Sequence, residues 1–214
     1  MMKKKTYSVI LLMTAVFAVM TIAVTSCSGL VKLKYEDGKY LDSRNGVAYI
    51  SAPVCFEPEA VGKEYAEYNK TVLYAVYGLD PKEWLTEAYE GIGSMYYSDK
   101  IELPTLETFG AKSAYICISD AITIKIGEID SAEKTEELIR LFSEGEEVAL
   151  PADGTMSYHI KFISDSYPSI FYDVLYVEHD SQHNYLYDRS TKRCVDIGRE
   201  LKEYLPSDED LTSL

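Results

Sequence analysis

The sequence predicts an α+β fold, mainly antiparallel sheet with two to four helices packed on one face. Three observations lead there. Short runs rich in Val, Ile, Tyr and Phe recur from residue 39 onward, separated by turn residues. From residue 113 to 205 the order reads strand, strand, helix, three or four strands, helix, without the regular strand–helix alternation of a parallel sheet. Nineteen tyrosines, against six phenylalanines and one tryptophan, suit half-buried strands that hold the ring on the sheet and the hydroxyl in water.

The elements follow in chain order. KYLDS and VAYIS flank Arg44-Asn45-Gly46, and Asn-Gly is a strong hairpin signal. Pro53, Pro58 and Gly62 interrupt the pattern, after which Val61, Tyr65 and Tyr68 fall at the i, i+4, i+7 spacing of a short helix. Thr71–Tyr77 reads as a strand. Asp80-Pro81-Lys82-Glu83 resembles a capped helix start, with Trp84, Leu85 and Ala88 as the inner face and Gly91 and Gly93 as the stop. Short strands are expected near Met95–Tyr97 and Ile101–Leu103, and longer ones at Ser113–Ser119 and Ala121–Gly127. The clearest helix starts at Asp130 as cap, buries Thr135, Leu138, Ile139 and Phe142, and stops at Gly145. Met156–Ser164 alternates, with Tyr158, Ile160 and Phe162 on one side. Ser169–His179 is the longest strand candidate. NYLYD and RCVDI form a hairpin about Arg189–Lys192, and a helix over Arg199–Leu205 ends the domain. The segments Tyr40–Ile50 and Tyr185–Ile197 look faintly alike and are read as two similar hairpins.

The start of the chain is of another kind. Lys3, Lys4 and Lys5 precede an uncharged stretch from Thr6 to Val31, whose centre, Ser8–Val24, is densely apolar. A positive start, an apolar middle and a small-residue end make a secretory signal. Val24-Thr25-Ser26-Cys27 then resembles the lipobox of bacterial lipoproteins, with Val and Thr where that family more often has Leu and Ala. The resemblance covers residues 1–28 only. It implies cleavage before Cys27 and a diacylglycerol on the Cys27 thiol, so membrane lipid is the first expected partner. The apolar run is also long enough to span a bilayer, and an uncleaved anchor is the alternative. Either way the three lysines keep the leading end cytoplasmic and put the rest of the chain on the far side of the membrane. The expected organisation is a signal peptide over 1–26, a tether over 27–38, one globular domain over 39–205 with a subdomain split near Gly127 as the alternative, and an acidic tail over 206–214.

Removing residues 1–26 takes away three lysines and no acid, leaving 18 basic against 35 acidic residues and a net charge of −17. That excludes the basic footprint of a nucleic-acid binder. It also leaves the lipid, not surface charge, as the anchor. Cys55, Cys117 and Cys194 sit among apolar neighbours and are read as buried thiols, the alternative being one disulfide and one thiol.

Few chemistries pass inspection. His179 and His183 in EHDSQH are four apart, but a strand end and a turn do not give helical geometry or a third ligand, so no metal is assigned. His159 lies mid-strand beside Lys161. Gly91-Ile92-Gly93-Ser94-Met95 lacks the spacing of a nucleophile elbow, Asp153-Gly154-Thr155 is a turn, and neither a phosphate loop nor a CxxC pair is present. No catalytic residue and no cofactor is assigned. The expectation is a binding or accessory module of the cell envelope, contacting an envelope protein or a carbohydrate through Tyr65, Tyr68, Trp84, Tyr89, Tyr96 and Tyr97. The alternative is an envelope hydrolase in which His159, His179 or His183 meets acidic residues in one pocket.

Overall fold

The computed structural model describes residues 29–87, 94–119, 122–152 and 156–205. The predicted signal peptide, Cys27, Tyr89, the Gly91–Gly93 stop, the Asp153–Thr155 turn and the acidic tail lie outside the described residues. Among the described residues no helix is long and apolar enough to cross a membrane.

The α+β expectation is overturned. Among the described residues the protein is mostly β, 49% strand and 10% helical, with a single α-helix. Two antiparallel sheets carry the fold. The first contains β1 (Val31–Lys32), β2 (Lys34–Glu36), β3 (Lys39–Asp42), β4 (Val47–Ser51), β6 (Val61–Tyr68), β7 (Thr71–Val76), β8 (Trp84–Glu87) and β9 (Met95–Ser98), in the order β1-β6-β7-β8-β9-β4-β3-β2. Its two ends are consecutive in the chain. Leu33 donates its N–H to the Glu67 carbonyl at 3.0 Å and Lys32 pairs with Glu67, while Lys34 lies opposite Leu41. One run of backbone thus touches β6 with its first half and β3 with its second. The sheet closes almost fully into a barrel, which removes the exposed edges an open sheet would leave. Val47, Tyr49, Ala66, Leu73 and Leu85 on one face of it are buried.

The second sheet runs β11 (Thr123–Ile129), β10 (Ala111–Ser119), β12 (Met156–Ser164), β13 (Ile170–Glu178), β14 (Asn184–Tyr187), β15 (Cys194–Asp196), and the three-residue β5 (Phe56–Pro58) also pairs with β13. One face, with Ala114, Ile116, Tyr158, Ile160, Phe162, Tyr172, Val174, Tyr176 and Leu186, is buried in a single cluster. Two covers share that face. Val76, Trp84 and Met95 from the barrel belong to the same cluster, with the Trp84 ring 5.7 Å from Phe56. Helix α1 (Ala132–Glu144) adds Thr135, Leu138 and Phe142. Its cap is Ser131, one residue later than expected, whose hydroxyl accepts from the Lys134 N–H, and it ends at Gly145 as the sequence predicts.

Each lost helix has a physical reason. In β6 the register shifts between Val61 and Glu64 and again between Glu64 and Ala66. Such bulges break the two-residue period, so the apolar positions imitate a helical spacing. Asp80 caps one turn through the Lys82 N–H, and then the chain extends. Trp84, Leu85 and Thr86 are all buried because β8 lies inside the sheet and is covered on both faces, and a doubly covered strand reads as a continuous apolar run. Arg199–Leu205 buries only Leu201 and contains a three-residue 3-10 turn, Lys202–Tyr204. The expected strand at Ile101–Leu103 is irregular chain, whereas strands begin inside the stretch read as a tether.

Candidate functional site

Strand pairing gathers tyrosines at one end of the barrel. Asp37 and Gly38 both take positive φ in the two-residue turn between β2 and β3, which sets Tyr35 directly opposite Tyr40. Their ring centroids are 5.0 Å apart. Tyr68, the last residue of β6, touches both, at 5.8 Å and 5.3 Å. Tyr40 meets Tyr96 of β9 edge-on at 5.1 Å. The Tyr96 hydroxyl donates to Glu87 Oε1 at 2.6 Å, at the end of β8. The rings therefore run in unbroken contact from Tyr35, 51% exposed, inward to Tyr96, 7% exposed, where a carboxylate terminates the run. Burial, then the bond to Glu87, pushes the Tyr96 hydroxyl up; burial does the same to Tyr40, with Glu87 adding to it. Both phenols keep their protons at neutral pH. The mouth of a small barrel is a common place for a ligand site, and stacked tyrosines offer flat faces beside polar tips.

The residues singled out from sequence divide. Tyr68 and Tyr96 belong to this end. Trp84 is 2% exposed and packs between Phe56 and Tyr97, and half-buried Tyr97 packs against the same core. Tyr65 is a turn lock: its hydroxyl accepts from Asn45 Nδ2 at 3.0 Å and donates to Asp42 Oδ2 at 3.4 Å. Tyr35, Tyr40 and Glu87 escaped the sequence reading. A signal for the first two existed, because Asp37-Gly38 between them is itself a hairpin signature. Cys55, Cys117 and Cys194 are buried and free.

A second polar group lies on the face of the second sheet opposite its core. Strand alternation puts His159 and Lys161 of β12 and Asp173 of β13 there, where Lys161 faces Asp173 and Cys117 faces His159. Asp173, 0% exposed, receives His159 Nδ1 at 3.0 Å and the Arg189 guanidinium. Glu57 of β5 receives Lys161 at 2.5 Å and Arg189 at 3.4 Å. Glu57, His159 and Asp173 bring three ligand atoms within 4.8 Å of one another. Lys161 and Arg189 already stand on the two carboxylates, however, and offset the negative charge that would draw a divalent cation. Burial pushes the Asp173 carboxyl up, the His159 bond opposing it, and burial pushes the neighbouring Cys117 thiol up. A thiol raised in that way is a poor nucleophile. The cluster ties β5, which follows the first barrel hairpin, to the second sheet. The other histidines sit apart from it: exposed His183 bonds half-buried Asp196 Oδ2 through Nδ1 at 2.6 Å, and His179 follows the end of β13.

No protein-family model, no curated protein and no solved structure matches this chain.

Proposed function

We propose that the protein is a lipid-anchored extracytoplasmic binding module of the cell envelope, with the tyrosine-lined end of the barrel as its ligand-facing surface. The observation that carries the binding half is the run of four rings in continuous contact, with Tyr35, Tyr68 and Tyr40 touching one another and Tyr40 touching Tyr96, open at Tyr35 and closed by Glu87. The anchoring half rests on the sequence alone: three lysines, an apolar stretch and Val24-Thr25-Ser26-Cys27. An envelope carbohydrate or an envelope protein fits such a surface, since tyrosine supplies large rigid contact area and a hydroxyl at low entropic cost. The test has two arms. Cys27→Ala followed through membrane fractionation should move the protein from the membrane to the soluble fraction. Tyr35→Ala and Tyr68→Ala should each weaken retention on immobilised envelope glycan or envelope protein while leaving the fold intact. Retention unchanged in both ring variants would end the binding reading, and an unmodified Cys27 thiol in the native protein would end the anchoring reading.

One observation favours the rival, an envelope hydrolase. Asp173 holds His159 by Nδ1, which orients the other ring nitrogen as a general base would be oriented. A hydrolytic activity against envelope material that His159→Gln removes, with the fold unchanged, would establish it over the binding module.

A further inference from the structure

The geometry points to an alkylammonium group, a positively charged amine or quaternary ammonium carried by the ligand, as what the tyrosine end of the barrel recognises. This rests on the binding reading above and narrows its ligand class. Ring faces attract cations through their quadrupole, and tyrosine does so within about 6 Å of the centroid. Elsewhere this protein uses its rings that way internally: Lys125 lies 3.7 Å from the Tyr115 centroid, Lys161 5.5 Å from Phe171 and Arg193 5.6 Å from Phe142. Among the described residues no such internal cation covers Tyr35, Tyr40, Tyr68 or Tyr96. Lys34 and Glu36 flank Tyr35 but alternate to the other side of the strand. The polar group that terminates the ring run is a carboxylate, Glu87, and its hydrogen bond comes from Tyr96, a neutral phenol, so its charge is uncompensated by that bond. The chain as a whole carries −14, which draws cations to its surface. A neutral sugar would use the flat faces and donate a hydroxyl to the carboxylate, but it would gain nothing from the field.

The test uses a pair of probes that differ in charge and hardly in shape, choline and 3,3-dimethyl-1-butanol. Each is titrated into the full-length protein in a nonionic polyoxyethylene detergent, with binding read by calorimetry and by NMR of fluorinated tyrosine. Choline should bind at least tenfold tighter than the alcohol. Tyr35→Ala should weaken choline about two- to fivefold, the range for a ring at an exposed site, and Tyr35→Phe should leave it nearly unchanged. Glu87→Gln, which still accepts from Tyr96, should weaken choline and leave the alcohol alone. Equal binding of the two probes overturns the inference. So does a choline affinity left unchanged by both Tyr35→Ala and Glu87→Gln. Should neither probe bind while a neutral envelope glycan binds and loses affinity in Tyr35→Ala, the cation inference falls and the binding module stands; loss of every ligand removes both.

Discussion

Helix α1 ends without a basic residue in its last turn. Four carbonyls at a helix C-terminus lack intrahelical partners and carry a partial negative charge, so something else must satisfy them. Arg193, the residue before β15, does so from some fifty residues away. Its Nε donates to the Phe142 carbonyl at 3.1 Å, and Nη2 donates to Ser143 O at 3.1 Å and Gly145 O at 2.8 Å. The guanidinium also lies 5.6 Å from the Phe142 ring. Replacing it by methionine keeps the stem and removes every donor. Hydrogen bonds from a charged donor contribute roughly 1.5–3 kcal/mol each. Water can replace part of this because the side chain is 28% exposed, so a total of about 2–4 kcal/mol is expected. For a domain of this size each kcal/mol lowers Tm by about 2–4 °C. Lysine keeps the charge near the dipole, about 0.3–1 kcal/mol, but loses the planar fork, so Arg193→Lys should fall between the two. Urea denaturation can be followed by Trp84 fluorescence, Trp84 being the only tryptophan, and by far-ultraviolet circular dichroism. Coincident curves license the two-state treatment. A methionine variant within about 0.5 kcal/mol of the parent would refute the reasoning, as that is the ordinary surface range. A lysine variant indistinguishable from arginine would reduce the effect to charge alone.

Three further outcomes follow from the same structure. At Gly145, whose φ of −66° suits any residue, an added Cβ would lie 2.2 Å from Val195 Cγ1 and 2.5 Å from the Leu141 carbonyl oxygen; Gly145→Ala should destabilise by about 1–2 kcal/mol net, overpacking outweighing the usual gain of about 0.4–1 kcal/mol in the unfolded chain, and an unchanged or raised urea midpoint would contradict it. The Asp196 carboxylate holds His183 above its ordinary value of 6.5. This pair's contribution is therefore fully present below pH 6.5 and is lost as pH rises through the folded value, so NMR titration should place His183 above 6.5 in the native protein and lower in Asp196→Asn than in the parent. Burial pushes the Cys55 and Cys194 thiols up to about 11 and raises Cys117 as well; with Cys27→Ser in the background, the native protein should react with a thiol reagent at pH 8 only after denaturant is added, and rapid native labelling would count against that packing.

How much of this was legible in the sequence depends on which interactions set each element. Local devices could be read. The likeness between Tyr40–Ile50 and Tyr185–Ile197 is one case, and it has a physical content. Asp42 Oδ1 accepts the N–H groups of Arg44 and Asn45, while Asp188 Oδ1 accepts those of Ser190 and Thr191. A tyrosine hydroxyl reaches the second oxygen of each, Tyr65 for Asp42 and Tyr172 for Asp188. Both aspartates are almost fully buried, so the same turn chemistry anchors both hairpins in the interior. Met156–Ser164 was readable for a similar reason: Tyr158, Ile160 and Phe162 face the core while His159 and Lys161 take the other face, so apolar and polar residues alternate.

What failed was set by tertiary closure. Trp84 and Leu85 are adjacent and both buried, because Trp84 faces the second sheet and Leu85 lies on the other face of the barrel strand. No local pattern distinguishes that from one side of a helix. The Asp37-Gly38 turn was written in the sequence, but the strands it joins are short: β3 has β2 and β4 beside it, β2 pairs with β3 alone, and the chain before β2 reaches β6 through Leu33 and Glu67. The tyrosine end inherits this difficulty. Tyr35 and Tyr40 are joined by a two-residue turn and Tyr96 comes from β9, two strands from β3, whereas Tyr68 arrives from β6, at the far end of the sheet from β2 and β3 until β1 and β2 bring its ends together. Tyr68 touches Tyr35 and Tyr40 only because the sheet closes. If the barrel is opened, for instance by a proline at Leu33 that removes the donor to Glu67, the ring run should come apart with it. Ligand binding and barrel closure should then be lost together, while the second sheet, whose helix cap and hairpins are its own, should keep its native circular dichroism; loss of binding with an intact Tyr68–Tyr40 contact would break that link.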